Sequence, residues 1–399
     1  MEISLVTTNL PSLEQFTTTI AISDPQLFDL NQRLLNTRLP VAPQSRPWKY
    51  GTSLSYLRET IDYWRHEFDW RVCEQELNQF EHIAVPVGQR IVHAVIIRSD
   101  RGLRPPIVLA HGWPGSFVEF LEVGEQLAHP ERFGGLAKDG ASVIIPSLPG
   151  CCLSSAPAFP IGPREIAADW ILLMRETLNV DKFFIHGSDW GAAVASWLAA
   201  TSPNLLYGIH LTSAIMQPDL NLELRLSPAE EDFLKHRASR GPSDSGYRII
   251  QGTKPLTLSY ALTDSPAGLA AWLLEKYQSW GVSRGTDKSP AIDLHKILTI
   301  LSLYWFSGPG PSTWIYSSLV DGTGLTFPEG TRVNVPTAIC SFKHDISPPS
   351  PADWQKRCYK VVRRSAIDEG GHFPGLDAPN ALVRDLLNFI DDVMGSSSI

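Results

Sequence analysis

The chain has 399 residues, and its 34 Lys and Arg against 42 Asp and Glu give a formal net charge of −8. That balance excludes nucleic acid as a partner, because binding it takes a basic stripe that displaces counterions. With 43% apolar and 19% charged residues a large core is expected rather than disorder, and 31 Pro and 12 Trp point to rigid turns and an aromatic interior.

At the N-terminus, MEISLVTTNLPSLEQF has neither a basic start nor an apolar run, so it does not read as a signal peptide. Asp24-Pro25 sets an N-cap residue before Pro and opens a helix through about Arg38, with Leu27, Leu30, Leu34 and Leu35 on one face and Leu39-Pro40 as the stop. After the irregular VAPQSRPWKYGTS, a second helix runs through LSYLRETIDYWRHEF with Leu54, Leu57, Ile61 and Trp64 in register. Two strand-like runs, HIAVPV and RIVHAVIIRS, close an N-terminal unit over residues 1–100.

From Pro105 strands and helices alternate, the signature of a parallel sheet covered on both faces. IVLAHG, SVIIPS, KFFIHG and LYGIHLTS are short and β-rich, as buried parallel strands are. SFVEFLEVGEQLA, PREIAADWILLMRETL and WGAAVASWLAA between them carry helical spacing. The alternation stops near Met216, gives way to SPAEEDF, DSPAGLAAWLLEKYQSW and LHKILTILSLYWF, and resumes with VPTAICSF, CYKVVRRSA and the amphipathic APNALVRDLLNFIDDV. The closing GSSSI reads as a frayed tail. The expected fold is α/β: residues 101–215 and 331–399 share one mostly parallel central sheet with helices on both faces, and residues 216–330 form an inserted helical lid. No apolar run approaches the roughly eighteen residues of a membrane span. Five cysteines (Cys73, Cys151, Cys152, Cys340 and Cys358) show no CxxC spacing, so neither a metal site nor a disulfide framework is indicated. A soluble, cytoplasmic protein is expected.

Three loops carry chemistry. HGSDWG at 186–191 lies between the strand KFFI and a helix, and a G-x-nucleophile-x-G turn at that junction is the nucleophile elbow of the α/β-hydrolase fold. Its central residue is Asp189, with Ser188 one place early; the competing reading of these six residues alone is that Asp189 merely caps the helix. HGWPGS at 111–116 follows the strand IVLA, where this fold draws one oxyanion N–H, which assigns the backbone N–H groups of Trp113 and Trp190 and makes Trp113-Pro114 a candidate cis bond. EGGHFPGLDAP at 369–379 lies between the last strand and the last helix, which selects His372 from eleven histidines as the base. The acid belongs after an intervening strand, and Asp345 in KHDISPP fits; Asp219 competes, whereas Asp368 and Glu369 are too near His372 along the chain.

An Asp nucleophile is already ionised at neutral pH and attacks an sp³ carbon to give an enzyme ester, which a His-activated water then opens. Epoxides and alkyl halides both meet that description. An epoxide needs an acid donor, and the inserted segment offers Tyr247 and Tyr316, with Tyr260, Tyr277 and Tyr304 as further phenols that could merely pack.

On these blocks the chain resembles epoxide hydrolases of the microsomal type, especially their soluble fungal relatives. WKYGTSLSYLRETIDYWRHEFDWRVCEQELNQF is similar to the N-terminal meander that wraps core and lid in that family, and HGWPGSF, SDWG, TKPLTLSYALTDSPAGLAAWLLEKYQSW and EGGHF match its other blocks. The resemblance implies Asp189 as nucleophile, Asp345 as charge-relay acid in a stretch similar to F-P-K-[DE], and His372 as base. It also implies Tyr247, in G-Y-x-x-x-Q-x-T-[KR]-P, and Tyr316 as acids, with Trp113 at the oxyanion loop. Ser188, Cys151-Cys152 and the short Gly308-Pro309-Gly310-Pro311 interval depart from the pattern and suggest a reshaped pocket. Membrane-bound members carry an N-terminal anchor, and its lack here implies a soluble enzyme. The expected activity is cofactor-independent opening of a hydrophobic epoxide, such as a polyketide or terpenoid intermediate, to a vicinal diol, with only a small-molecule substrate and water as partners. An epoxide-opening cyclase, a haloalkane dehalogenase and a non-catalytic ligand sensor stand as rivals, and a homodimer is compatible with the chain.

Overall fold

The structure is a computed structural model that describes residues 10–219, 225–239, 245–285, 288–346 and 349–396. Ser23 opens helix α1 (Asp24–Leu35): its backbone N–H and hydroxyl both meet Gln26 Oε1. The cap is therefore one residue earlier than Asp24, and the helix ends at Leu35 rather than near Arg38. Leu30 and Leu34 are buried while Leu35 is exposed, because a stripe one residue wider than the contact runs out at the helix end. Helix α2 (Leu54–His66) buries Leu57, Ile61 and Trp64, and α3 (Trp70–Leu77), which the spacing had not announced, buries Trp70, Cys73 and Leu77. Each such side chain stabilises the packed state by about 1.5–3 kcal/mol. Polar bonds fix the docking: Trp64 Nε1 donates to Ser302 Oγ at 3.1 Å, and Thr52 Oγ1 donates to the Ala271 carbonyl at 2.5 Å.

Strands β1 (Thr17–Thr18), β2 (Glu81–Val87) and β3 (Arg90–Ile97) form an antiparallel edge. It joins the parallel strands β4 (Ile107–Ala110), β5 (Val143–Pro146), β6 (Phe183–Gly187) and β7 (Leu206–Leu211) through an antiparallel β3–β5 pairing. β4, β5 and β6 are buried at every position, which is why they read as unbroken apolar runs. Helices α4 (Leu121–Ala128), α5 (Pro163–Leu172) and α6 (Asp189–Thr201) connect them. β8 (Gln217–Pro218) pairs in parallel with β11 (Thr326–Phe327), so the chain leaves and re-enters the sheet region at one neck. Between these lie α7 (Pro228–Ser239), α8 (Gly246–Thr253), α9 (Pro255–Asp264), α10 (Pro266–Trp280), the small hairpin of β9 (Ser283–Arg284) and β10 (Ser289–Pro290), and α11 (Leu294–Ser307), then a 3₁₀ turn over Pro311–Leu319.

β12 (Val333–Phe342) and β13 (Tyr359–Ile367) complete the sheet, whose order is β1-β2-β3-β5-β4-β6-β7-β12-β13. α12 (Ala352–Cys358), α13 (Pro374–Asp377) and α14 (Pro379–Ser396) finish the chain. α14 takes in the first two residues of the GSSSI tail, and the last three lie outside the described residues, as do residues 1–9. This is the α/β-hydrolase fold. Its strand order reverses at β4, and the loops after β4, β6, β12 and β13 gather at the carboxyl ends of the parallel strands, where open α/β sheets hold ligands. No described helix is long and apolar enough to cross a membrane.

Candidate active site

Asp189 sits at the β6–α6 junction with φ of +48°, a left-handed conformation that costs a non-glycine residue strain and is held by its surroundings. The turn is possible because its neighbours lack side chains: a Cβ on Gly191 would lie 2.0 Å from the Ala110 carbonyl oxygen, and one on Gly112 would lie 2.3 Å from Asp189 Cβ. Ser188 is extended and buried, so its hydroxymethyl group is accommodated in the turn.

The Trp113 N–H donates to Asp189 Oδ1 at 3.0 Å, from a loop whose Trp113-Pro114 bond is cis as expected. Trp190 lies in the first turn of α6, where backbone N–H groups have no intrahelical partner. His372 Nε2 stands 3.5 Å from Asp189 Oδ2, and its Nδ1 is 3.0 Å from Asp345 Oδ1. Burial opposes charge on this imidazole, yet the two carboxylates, Asp345 foremost, hold its pKa well above the ordinary histidine value. Asp345, and not Asp219, thus meets the His372 ring. Asp368 is fully exposed beside Lys343.

A cavity of about 540 Å³ opens over Asp189. Tyr247 from α8 and Tyr316 from the 3₁₀ turn both line it, together with His372, Asp345 and Trp190. Both phenols rest on the ring of Trp113: Tyr247 stacks at 5.8 Å between centroids and Tyr316 meets it edge-on at 5.6 Å. One residue therefore presents its amide to the carboxylate and its indole to the phenols. Burial raises the pKa of both phenols, so they are protonated donors in the neutral range.

The other phenols are elsewhere. Tyr304 donates to the Gly115 carbonyl at 2.9 Å and Tyr277 to the Pro114 carbonyl at 3.0 Å, bracing the loop after β4 from behind, and Tyr260 is exposed. The departures at Cys151 and Pro311 do not line the cavity. Gly150 packs directly against Pro311, and Cys151 Sγ faces the Tyr304 hydroxyl at 3.7 Å.

Several residues at the site were not legible from spacing. Trp280 presents its ring edge to His372 at 5.1 Å, and the buried Lys276 ammonium lies 4.9 Å from the centre of the Tyr247 ring, its pKa pushed down to about 8 by burial. Both belong to the EKYQSW run, where helical periodicity alone hints at a buried face. Glu119 is buried beside His372 and Asp377, and burial pushes its carboxyl up to about 8. Arg237 and Arg248 also line the cavity. Among the described residues His210, Cys340 and Asp385 lie close enough to share a metal ion. His210 nevertheless spends one ring nitrogen on His186 at 2.9 Å and the other on Asp385 at 3.0 Å, and Asp385 also accepts from Ser365, so the cluster is a hydrogen-bonded brace behind the elbow.

A family model described as the epoxide hydrolase N terminus matches residues 14–120, and one described as the alpha/beta hydrolase fold matches residues 105–264. A Stigmatella aurantiaca protein carrying an epoxide hydrolase name is 35% identical over 92% of this chain and 82% of its own. Epoxide hydrolase 1 of Oryctolagus cuniculus is 31% identical over 93% of this chain and 87% of its own. Among solved structures, the Aspergillus niger epoxide hydrolase superposes with a TM-score of 0.78 at 27% identity, covering 95% of this chain and 96% of that one. The juvenile hormone epoxide hydrolase of Bombyx mori gives 0.79 at 26% identity, covering 95% and 94%.

Proposed function

The chain belongs to the epoxide hydrolase family, and on that premise we propose that it opens epoxides through a covalent ester on Asp189, with Tyr247 and Tyr316 as acids and His372 as the base that releases the product. The supporting observation is the Asp189 carboxylate held from two sides, by the Trp113 N–H at 3.0 Å and His372 Nε2 at 3.5 Å, on the floor of a cavity that both phenols also line.

With Oδ1 bonded to the Trp113 N–H, Oδ2 is the oxygen free to attack the epoxide carbon. As the ring C–O bond breaks, the developing alkoxide takes a proton from a phenol, a contribution worth roughly 10²–10⁴-fold. Esterification removes the Asp189 charge next to His372. The imidazole then loses one of the two anions that held its proton, releases that proton to solvent and can act as a base, regaining it from solvent once the Asp189 carboxylate is restored. It takes a proton from water, whose oxygen adds to Cγ, and Oδ1 carries the resulting charge against the Trp113 and Trp190 N–H groups. Collapse expels the diol oxygen, which His372 protonates; the second proton of the water restores the phenol through solvent. The mostly apolar lining, including Ile215, Phe233, Leu319, Leu325, Ile339 and Trp354, suits an epoxide on a hydrophobic body, such as a metabolite intermediate. The paired phenols favour a ring oxygen over a halide as leaving group.

A single turnover in ¹⁸O-water with enzyme in excess tests the scheme. The heavy oxygen should enter the Asp189 carboxylate first and reach the diol only in later turnovers. Labelled diol in the first turnover would mean direct attack by water and would end the reading.

A further inference from the structure

On the proposed mechanism, ring opening carries a negative charge across the cavity. Asp189 begins as the anion. Once it has bonded to carbon and the ring oxygen has taken a phenol's proton, the charge rests on a phenolate inside the inserted segment. A buried anion is costly unless a cation stands beside it, and the two phenols differ in what meets their rings. The ring contacts of Tyr316 are aromatic, with Trp113, Trp190 and Tyr247. Tyr247 also packs on Lys276, whose ammonium lies 4.9 Å from its ring centre. That ammonium is buried in a cage completed by Trp272 at 5.1 Å and Trp280 at 5.9 Å. Positions 272, 276 and 280 are one turn apart on α10 and so share a face. Gln251, one turn beyond Tyr247 on α8, accepts a hydrogen bond from Trp272 Nε1 at 2.9 Å and ties the two helices together beside the cage. The half-buried Glu275 carboxylate pairs with the same ammonium.

A neutral ring attracts an ammonium through its quadrupole, whereas a phenolate places a whole charge over that ring, so the contact strengthens as the proton leaves. At 4.9 Å and an effective dielectric of about 20, this favours ionisation of the phenol by roughly a hundredfold. A proton-transfer transition state expresses part of that, about tenfold. The other charges do not reverse the preference. Asp189 opposes ionisation of Tyr247, but its charge is consumed as the ester forms. Arg248 favours the ionised form of both phenols and does not separate them. The phenols themselves are unequal: the Tyr316 hydroxyl favours ionised Tyr247, whereas Tyr247 disfavours ionised Tyr316.

We propose that Lys276 is a positioning residue for ring opening: its ammonium holds the phenolate of Tyr247, so that Tyr247 gives its proton to the epoxide oxygen while Tyr316 holds that oxygen by a hydrogen bond. This rests on the epoxide-opening reading and assigns unequal parts to its two phenols. The O–H bond of Tyr247 breaks as the alkoxide O–H forms, and the electron pair stays on the phenol oxygen until solvent reprotonates it.

The test follows ester formation from styrene oxide and from trans-stilbene oxide in single turnover, by stopped-flow tryptophan fluorescence. Lys276→Met should slow it about tenfold, both in the otherwise unaltered enzyme and alongside Tyr316→Phe, and Lys276→Arg should restore part of the rate. Alongside Tyr247→Phe, which leaves no phenolate to hold, Lys276→Met should change the rate by less than about twofold, a non-additivity that lost packing would not produce. Placing 3,5-difluorotyrosine, a stronger acid of nearly the same shape, at position 247 of the Lys276→Met protein should recover the rate. If Lys276→Met does not fold, Lys276→Gln, neutral but polar, takes its place in the same comparisons. An unslowed rate in the neutral variant, or equal slowing alongside Tyr247→Phe, overturns the part given to Lys276 while ester formation still supports the epoxide-opening reading. Ester formation from neither epoxide overturns both.

Discussion

Replacing Tyr316 with Phe should make this protein more stable and less active, an opposition that separates a catalytic phenol from a packing one. The Tyr316 ring is buried against Trp113 at 5.6 Å, Trp190 at 5.0 Å and Tyr247 at 5.7 Å, and all three contacts survive in Phe. The hydroxyl has no hydrogen-bond partner among the described residues, with Trp190 and Tyr247 near it only at looser geometry. Removing a buried, poorly satisfied polar group gains about 1 kcal/mol. Unfolding entropy of roughly 2.1 cal/mol/K per residue over 399 residues is about 0.8 kcal/mol/K, so Tm should rise by about 1 °C. On the proposed mechanism the same deletion removes one of two proton donors at the breaking C–O bond. Ester formation should slow by about 10²-fold, which is about 2.7 kcal/mol. Differential scanning fluorimetry reads the first quantity. Stopped-flow tryptophan fluorescence in single turnover reads the second, since Trp113, Trp190 and Trp280 surround the reacting group. An unchanged alkylation rate together with a lowered Tm would show that Tyr316 only packs, and would leave Tyr247 as the sole donor.

His372→Gln should leave alkylation possible and slow ester hydrolysis by about 10²–10⁴-fold, so intact-protein mass should rise by the mass of one substrate; no adduct during single turnover would refute the base assignment. The pH dependence should divide by step. Because His372 has a raised pKa it is protonated below that pKa, so hydrolysis, which needs the neutral ring, should weaken as pH falls, while alkylation, which does not need it, should hold between about pH 6 and 8; parallel loss of both steps would contradict the charge coupling between Asp189 and His372. Glu119, whose carboxyl is pushed up to about 8 by burial, binds its proton more tightly folded than unfolded. Stability should therefore fall as pH rises from about 4.5 to 8 and level off above that. Glu119→Gln should flatten this slope, read as Tm against pH, and an unaltered slope would assign it to another group.

The elements that were legible in the sequence are those specified by near neighbours. Asp189 is marked by Gly187 and Gly191 on either side, because the elbow brings backbone within 2.0 Å of where a Cβ would stand, and only a local pattern of missing side chains permits that. His372 and Asp345 follow from chain order, since parallel strands deliver their loops to one edge of the sheet in a fixed sequence. The α1 cap differed by a single residue because Ser23 and Asp24 are both good cap chemistries, and only the bond to Gln26 separates them. What tertiary structure decided is which distant groups face one another. Five tyrosines of the inserted segment have similar local surroundings in sequence; the folding of α8, α10, α11 and the 3₁₀ turn over the sheet sends Tyr247 and Tyr316 to the cavity, Tyr277 and Tyr304 behind the loop after β4, and Tyr260 to the surface. The same holds for Tyr247 and Lys276, which meet from different helices. A turn is built by the few residues that make it, whereas a meeting of side chains from separate elements depends on the packing of everything between them.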